Sequence, residues 1–136
     1  MLQFSIPGNP KVLKRHRVAR NGRMYDTCSK DKKDIWLQIA KYKPKRPYTG
    51  DIYLKVIFYM PRPKHHYRTG KYKHLLKDRC KDIIYHSIVP DLDNMVKLYS
   101  DILQPQIICD DSQICVLQAE KKYSTNPRVE ITIQEI

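Results

Sequence analysis

The sequence predicts an α+β fold: a mixed sheet of about four strands with two main helices, in the order β-α-β-α-β-β. Three observations lead there. Residues 51–60 form the clearest strand, rich in β-branched and aromatic residues. Two stretches, about 29–42 and 91–103, carry apolar residues at helical spacings and are stopped by prolines. Two further extended stretches close the chain.

The elements follow in order. Residues 1–6 alternate as a strand, and Pro7-Gly8-Asn9-Pro10 breaks it. A basic loop comes next, with Lys11, Lys14, Arg15, Arg17, Arg20 and Arg23. Inside it, Asn21-Gly22 is a hairpin-type turn signal. Ile35, Trp36, Ile39 and Ala40 give the first helix its apolar stripe, Ser29 is its expected N-cap, and Pro44 and Pro47 end it. The strand over 51–60 stops at Pro61. The stretch 61–81 is polar and basic and is expected to be a mobile loop or a short helix without firm structure; 83–89 reads as a short extended segment leading to Pro90. In the second helix Leu92, Val96, Tyr99 and Leu103 share one face, and Asp93, Lys97 and Asp101 share another. Residues 113–123 and 128–135 read as two strands joined by Ser124-Thr125-Asn126-Pro127 into an edge hairpin. The whole length, 1–136, fits one compact domain.

Charge narrows the function. The formal net charge is +12, which favours a polyanionic partner. No run is long and apolar enough to span a bilayer, so a membrane role has little support. The first six residues are too short and too quickly interrupted for a signal peptide, which points to the cytoplasm. Cys28, Cys80, Cys109 and Cys115 show neither a C-x-x-C pair nor zinc-finger spacing, and are expected to be reduced, partly buried thiols. His16, His65, His66, His74 and His86 form no metal-binding pattern and are expected at the surface or on DNA. Tyrosines could stack on unpaired bases, although Tyr53 and Tyr59 are expected to pack beside the sheet.

Against this basic background, the window 91–111 holds five Asp and a single Lys, a net −4 that leaves +16 for the rest of the chain. Such a knot repels phosphate unless cations bridge it to the partner. Asp91 and Asp93 flank a helix start, where the dipole helps keep them ionised. Asp110 and Asp111 precede a strand, and a strand–helix–loop–strand arrangement is expected to bring these two acidic sites together in space. Oxygen ligands without Cys or His favour magnesium or manganese over zinc, and such a cation can activate water for phosphodiester hydrolysis. Lys97, one turn after Asp93, could hold a phosphate, or could only pair with Asp93 or Asp101. Each piece alone has an ordinary explanation: Asp91 as an N-cap, Asp110-Asp111 as a solvated turn, Asp101 as a surface charge.

Taken together, Pro90-Asp91-Leu92-Asp93-Asn94-Met95-Val96-Lys97, then Asp101, then Asp110-Asp111-Ser112-Gln113 resembles the signature of the RusA family of Holliday junction resolvases. The opening Ile6-Pro7-Gly8-Asn9-Pro10-Lys11, with Arg15 and Arg17, resembles that family's first strand and basic loop. The resemblance implies a RusA-like fold and a homodimer that nicks four-way DNA junctions symmetrically in recombination and repair, using Mg2+ with Mn2+ as a substitute. It implies Asp91, Asp93 and Asp111 as metal ligands and Lys97 as a catalytic lysine. Lys11, Lys14, Arg15 and Arg17 would bind the DNA backbone. A phage or prophage origin accords with such stand-alone resolvases. Two features depart from the pattern: Gln104-Pro105-Gln106 stands where family members often carry Gly, and the basic 61–81 stretch lies outside the motif. The competing readings are a non-catalytic basic DNA-binding module, which would bind and never cut, and an RNA-binding scaffold.

Overall fold

The strand expected over 51–60 is β4 (Ile52–Pro61), and it holds the centre of the sheet. The structure, a computed structural model, describes residues 1–12, 17–25 and 28–136, with backbone alone at Arg17, Met24 and Tyr25. The elements are β1 (Leu2–Pro7), β2 (Arg17–Val18), β3 (Met24–Tyr25), α1 (Ser29–Ile39), β4, α2 (Leu92–Leu103), β5 (Ile114–Ser124) and β6 (Arg128–Glu135). The α+β architecture is the one expected: a four-stranded mixed sheet in the order β1-β6-β4-β5, with two helices. The pair β2–β3 forms a small hairpin around the Asn21-Gly22 turn, where Gly22 adopts φ +80°, a conformation that suits glycine.

Along β4, Ile52, Leu54, Val56, Phe58 and Met60 are buried, and the residues between them are half-buried. Phe4 and Ile6 of β1 and Val129, Ile131 and Ile133 of β6 extend that apolar face. The helices cover it: Ile35 and Ile39 of α1, and Met95, Leu98, Tyr99, Ile102 and Leu103 of α2, complete the core. Tyr99 packs its ring on Phe58 at 5.4 Å, and its hydroxyl accepts the Lys11 amide at 3.1 Å. Burial pushes the Tyr99 phenol up to about 12. Tyr53 and Tyr59 lie half-buried on β4, in the sheet itself; Tyr59 carries the Arg128 guanidinium over its ring at 3.8 Å.

Four expectations are corrected. First, β5 and β6 form no hairpin: β4 lies between them, parallel to β5 and antiparallel to β6. Ser124 pairs with Pro61, and Arg128 pairs with Tyr59, so the 125–127 turn passes over the end of β4. Two strand spacings are roughly 10 Å, which the Cα links from Ser124 to Arg128, ~3.8 Å each, can span. Second, Cys28 rather than Ser29 holds the N-cap position of α1, and its side chain makes no cap hydrogen bond. Third, the 61–81 stretch is built, with 3-10 turns at Lys64–His66, Gly70–Tyr72 and Asp78–Cys80.

Fourth, two histidines are core residues. His66 and His86 are 5% and 7% exposed, and their rings meet that of Tyr123, each at 5.0 Å. They anchor the segment before α2 to the end of β5. None of the four cysteines is in a disulfide; Cys28 and Cys80 are buried, and Cys109 and Cys115 exposed.

Burial, and then neighbouring cations, hold both imidazoles below their ordinary pKa of 6.5; the cations are His65, Arg62 and Lys77 at His66, and Lys121 at His86. Below about pH 6.5 the unfolded chain therefore binds more protons than the folded one, so stability is fully present above that pH and declines as pH falls. His86→Phe is expected to melt at or above the parent near neutral pH, since its buried Nδ1 has no hydrogen-bond partner to lose. It should also flatten part of the acid decline. Thermal melts from about pH 7 to about pH 5 check both; an unchanged decline would assign it to other groups.

Candidate active site

The carboxylates sit where helix and strand ends place them. Asp91 is the N-cap of α2, with extended backbone (φ −72°, ψ 137°), and its main-chain oxygen accepts the Met95 amide at 3.2 Å. Its carboxylate makes no cap hydrogen bond, so Asp91 takes the capping position without spending its side chain there. Asp93 stands in the first turn and accepts the Asn94 amide at 2.9 Å. Asp91, Asp93, Asn94 and Lys97 are exposed, whereas Met95, Val96, Leu98 and Tyr99 between and beyond them are buried. The salt bridge open to Lys97 is not formed: Asp101 faces Lys32 of α1 at 3.7 Å, and no ion pair joins Lys97 to Asp93 among the described residues.

The run into Asp91 is held from β5. Residues 84–86 lie along the outer edge of that strand, as the extended reading of 83–89 expected, through His86 N to Lys121 O at 3.0 Å and Tyr123 N to Ile84 O at 2.8 Å. The Lys121 ammonium donates to Ile88 O at 2.6 Å and also to Pro90 O, the residue before Asp91. Asp91 and Lys121 share a cavity of about 650 Å3 with His86 and Leu92. Asp93 opens onto a neighbouring one of about 390 Å3 with Leu92, Val96, Leu117 and Ala119.

Asp110 and Asp111 differ in what they do. Asp110 caps the single 3-10 turn Asp111–Gln113: its carboxylate accepts the Ser112 hydroxyl and the Ser112 amide. Those hydrogen bonds, the hydroxyl's first, hold its pKa below the usual carboxylate range. Gln113 completes the capping box by accepting the Asp110 amide at 2.8 Å, while its Nε2 donates to Tyr48 O and Gly50 O at 2.9 and 3.0 Å. Asp111 is exposed and has no side-chain hydrogen bond among the described residues; its amide donates to Gln104 Oε1 at 3.0 Å. The turn that lacks the family's Gly thus gains a different support, from the Gln104 side chain.

Gln104 is the C-cap of α2 and Asp91 its N-cap. A helix of this length spans about 18 Å. A second ruler agrees: Ile114, just after Asp111, and Lys121, beside the Asp91 turn, stand about 23 Å apart along β5 at ~3.3 Å per residue. The structure therefore brings Asp91, Asp93 and Lys97 together on α2 and leaves Asp111 at the helix's other end. No three His, Cys, Asp or Glu side chains converge to hold a metal among the described residues. The donor types suit a hard divalent cation; the arrangement within one chain does not assemble them. Lys14 and Arg15 lie outside the described residues, Arg17 begins β2, and Lys11 is exposed where its amide meets Tyr99.

The family model for endodeoxyribonuclease RusA matches residues 7–134. The chain belongs to the RusA family. It is also 32% identical over 140 residues to the uncharacterized protein YqaN of Bacillus subtilis (strain 168), across 99% of this chain and 96% of that one. The family is one of DNA endonucleases, typically metal-dependent. No helix among the described residues is long and apolar enough to cross a membrane.

Sequence reasoning passed over Lys121, the supporting hydrogen bond from Gln104 and the two-sided task of Gln113, which hold the acidic residues in place. Only Gln113 had a signal, as the last position of the Asp-Asp-x-Gln motif. Gln113→Ala removes three hydrogen bonds and strands two backbone carbonyls. It is expected to cost about 1–3 kcal/mol, read by chemical denaturation. A cost near zero would mean that Tyr48 and Gly50 find other donors.

Proposed function

We propose that this RusA-family chain is a crossover junction endodeoxyribonuclease that hydrolyses phosphodiester bonds at four-way DNA junctions and leaves paired symmetric nicks. The observation that carries the reading is the exposed row Asp91, Asp93 and Lys97 at the start of a helix whose opposite face is buried, in a chain of net charge +12. Lys97, free of Asp101, would meet the scissile phosphate and stabilise its developing charge. Lys11, Lys14, Arg15 and Arg17 would bind the DNA backbone; Lys11 is linked to α2 through Tyr99. Asp91, Asp93 and Asp111 would hold Mg2+, or Mn2+ in its place, which when bound activates water and offsets charge at phosphorus. Paired nicking of a synthetic four-way junction in the presence of Mg2+ tests the activity. Equal cutting of plain duplex would remove the junction selectivity, and no cutting at all would favour a binding module.

The separation of Asp111 from Asp91 supports a homodimer with composite centres. On this reading Asp111 of one protomer joins Asp91 and Asp93 of the other. The outer edge of β5 carries 84–86 beside Lys121–Tyr123 but no backbone partner over 115–119 among the described residues. Val116 and Leu117 there are 45% and 51% exposed. An open, apolar edge is a template for pairing with another chain. Antiparallel pairing of two such edges about Leu117 brings the Asp111 end of one β5 to the Lys121 end of the other, and C2 symmetry then makes two equivalent centres.

Asp93→Asn and Asp111→Asn should each lower cleavage by about 100-fold or more, with junction binding intact or tighter because a carboxylate facing phosphate is gone. Mixed after subunit exchange, the two inactive variants should recover nicking of one strand, since the heterodimer keeps one complete centre. Failure to recover, with exchange verified, places each centre within a single chain.

A further inference from the structure

The stretch 61–81 carries eight Lys and Arg against a single Asp, a net +7 out of the chain's +12. Half of those basic side chains border a cavity of about 970 Å3, larger than those at Asp91 and Asp93. Lys64, His65, Arg68, Lys73 and Lys77 line it beside Tyr67, and no carboxylate does. Asp78, the one acid nearby in sequence, is spent on Arg68 at 3.3 Å and Lys81 at 3.1 Å. Lys64, Lys73 and Lys77 have no ion pair among the described residues. Concentrating unpaired ammonium groups around a hollow is unfavourable unless an anion enters.

The walls are built in advance of any ligand. Tyr67 and Leu76 pair as an antiparallel bridge, flanked by Arg68 N to Leu75 O at 2.8 Å and Lys77 N to His66 O at 2.9 Å. Gly70 turns the chain at φ +66°. Below, buried His66 rests on Tyr123, and Arg62 donates to Cys80 O at 3.0 Å, so the cradle is fastened to the end of β5. Pre-formed walls reduce the ordering cost of binding.

We propose that this cradle is a second DNA-binding site, separate from the cleavage centre, which takes successive backbone phosphates of the bound DNA. The proposal rests on the DNA-nuclease reading. Five basic side chains spread from Lys64 to Lys77 exceed what one phosphate needs and suit a strand that presents several. The chain also runs from the cradle along the β5 edge into Asp91, so DNA held there lies on a path to the centre. Tyr67 at the wall, and exposed Tyr72 in the same turn region, offer rings to bases where the strand is unpaired.

The test is binding by the whole protein without divalent cation, by fluorescence anisotropy over a salt series. Duplex DNA, single-stranded DNA, a four-way junction and RNA serve as ligands. The triple variant Lys64→Ala, Lys73→Ala, Lys77→Ala should lower the log K against log salt slope by about 2–3 and weaken DNA binding about tenfold near 0.1 M salt. A charge-matched control, Lys30→Ala, Lys41→Ala, Lys45→Ala, should change it less. If the triple variant melts early, the single exposed Lys73→Ala replaces it, with a slope change of about 0.7–0.9. Loss confined to duplex or to single strand supports the site and says which the cradle takes. A slope equal to the parent's, a loss matched by the control, or a loss on RNA alone overturns it. Binding through the cradle without any nicking would sink the nuclease reading and leave this one standing; nicking with an unaltered slope would do the reverse.

Discussion

The parallel pairing of β4 with β5 governs where the chemistry-bearing residues end up. Parallel neighbours begin at the same end of a sheet, so the chain leaving β4 must travel back along the sheet's length before β5 can start. The helix α2 makes that return. Asp91 and Asp93 therefore lie at the end where β4 finishes, and Asp111 at the end where β5 begins. Each end is tied locally: Lys121 grips the carbonyls of Ile88 and Pro90, and Gln104 and Gln113 hold the turn around Asp111. On its other side β4 pairs antiparallel with β6, which fixes it at the centre of the sheet.

This separation also resolves an electrostatic difficulty. Three carboxylates in one place repel one another and call for protonation or a cation. Placed at opposite ends of α2, they need neither for the fold itself. Asp91 and Asp93 sit at the positive end of the helix, with Lys97 one turn away. Asp110 is satisfied by Ser112 and acts as the cap that positions its neighbour. The basic excess is gathered elsewhere in the chain, above all in 61–81.

What the sequence disclosed divides along local and non-local lines. Periodicity reports burial, so β4 and the two faces of α2 were legible from Ile52–Met60 and from Leu92, Val96, Tyr99 and Leu103. The Asn21-Gly22 hairpin was legible because its turn has a backbone requirement of its own. Ser124–Pro127 looks like a hairpin turn whether it joins neighbours or steps over a third strand; only the position of β4 decides, and no short stretch encodes that. The 61–81 stretch has no period because 3-10 turns and a single bridge set none. His66 and His86 gave no sign of burial because the ring that receives them, Tyr123, is far away in sequence. The acidic residues were legible as a group through their spacing, but their separation depends on strand direction and was not.

The bare edge of β5 and the separated carboxylates bear on one another. Pairing two copies of a chain that carries +12 each is opposed by long-range repulsion, which disfavours indiscriminate edge-to-edge association. The segment 84–86 closes part of the β5 edge and leaves only a short stretch open. If Asp111 of one protomer meets Asp91 and Asp93 of another there, the repulsion among them opposes the dimer until a cation or a cation-bearing phosphate enters. A cation bound only by the dimer must in turn strengthen the dimer by the same free energy, because the two equilibria are linked. DNA adds a third participant, since it screens the basic surfaces of both protomers at once. On that reading assembly, cation and substrate each stabilise the others.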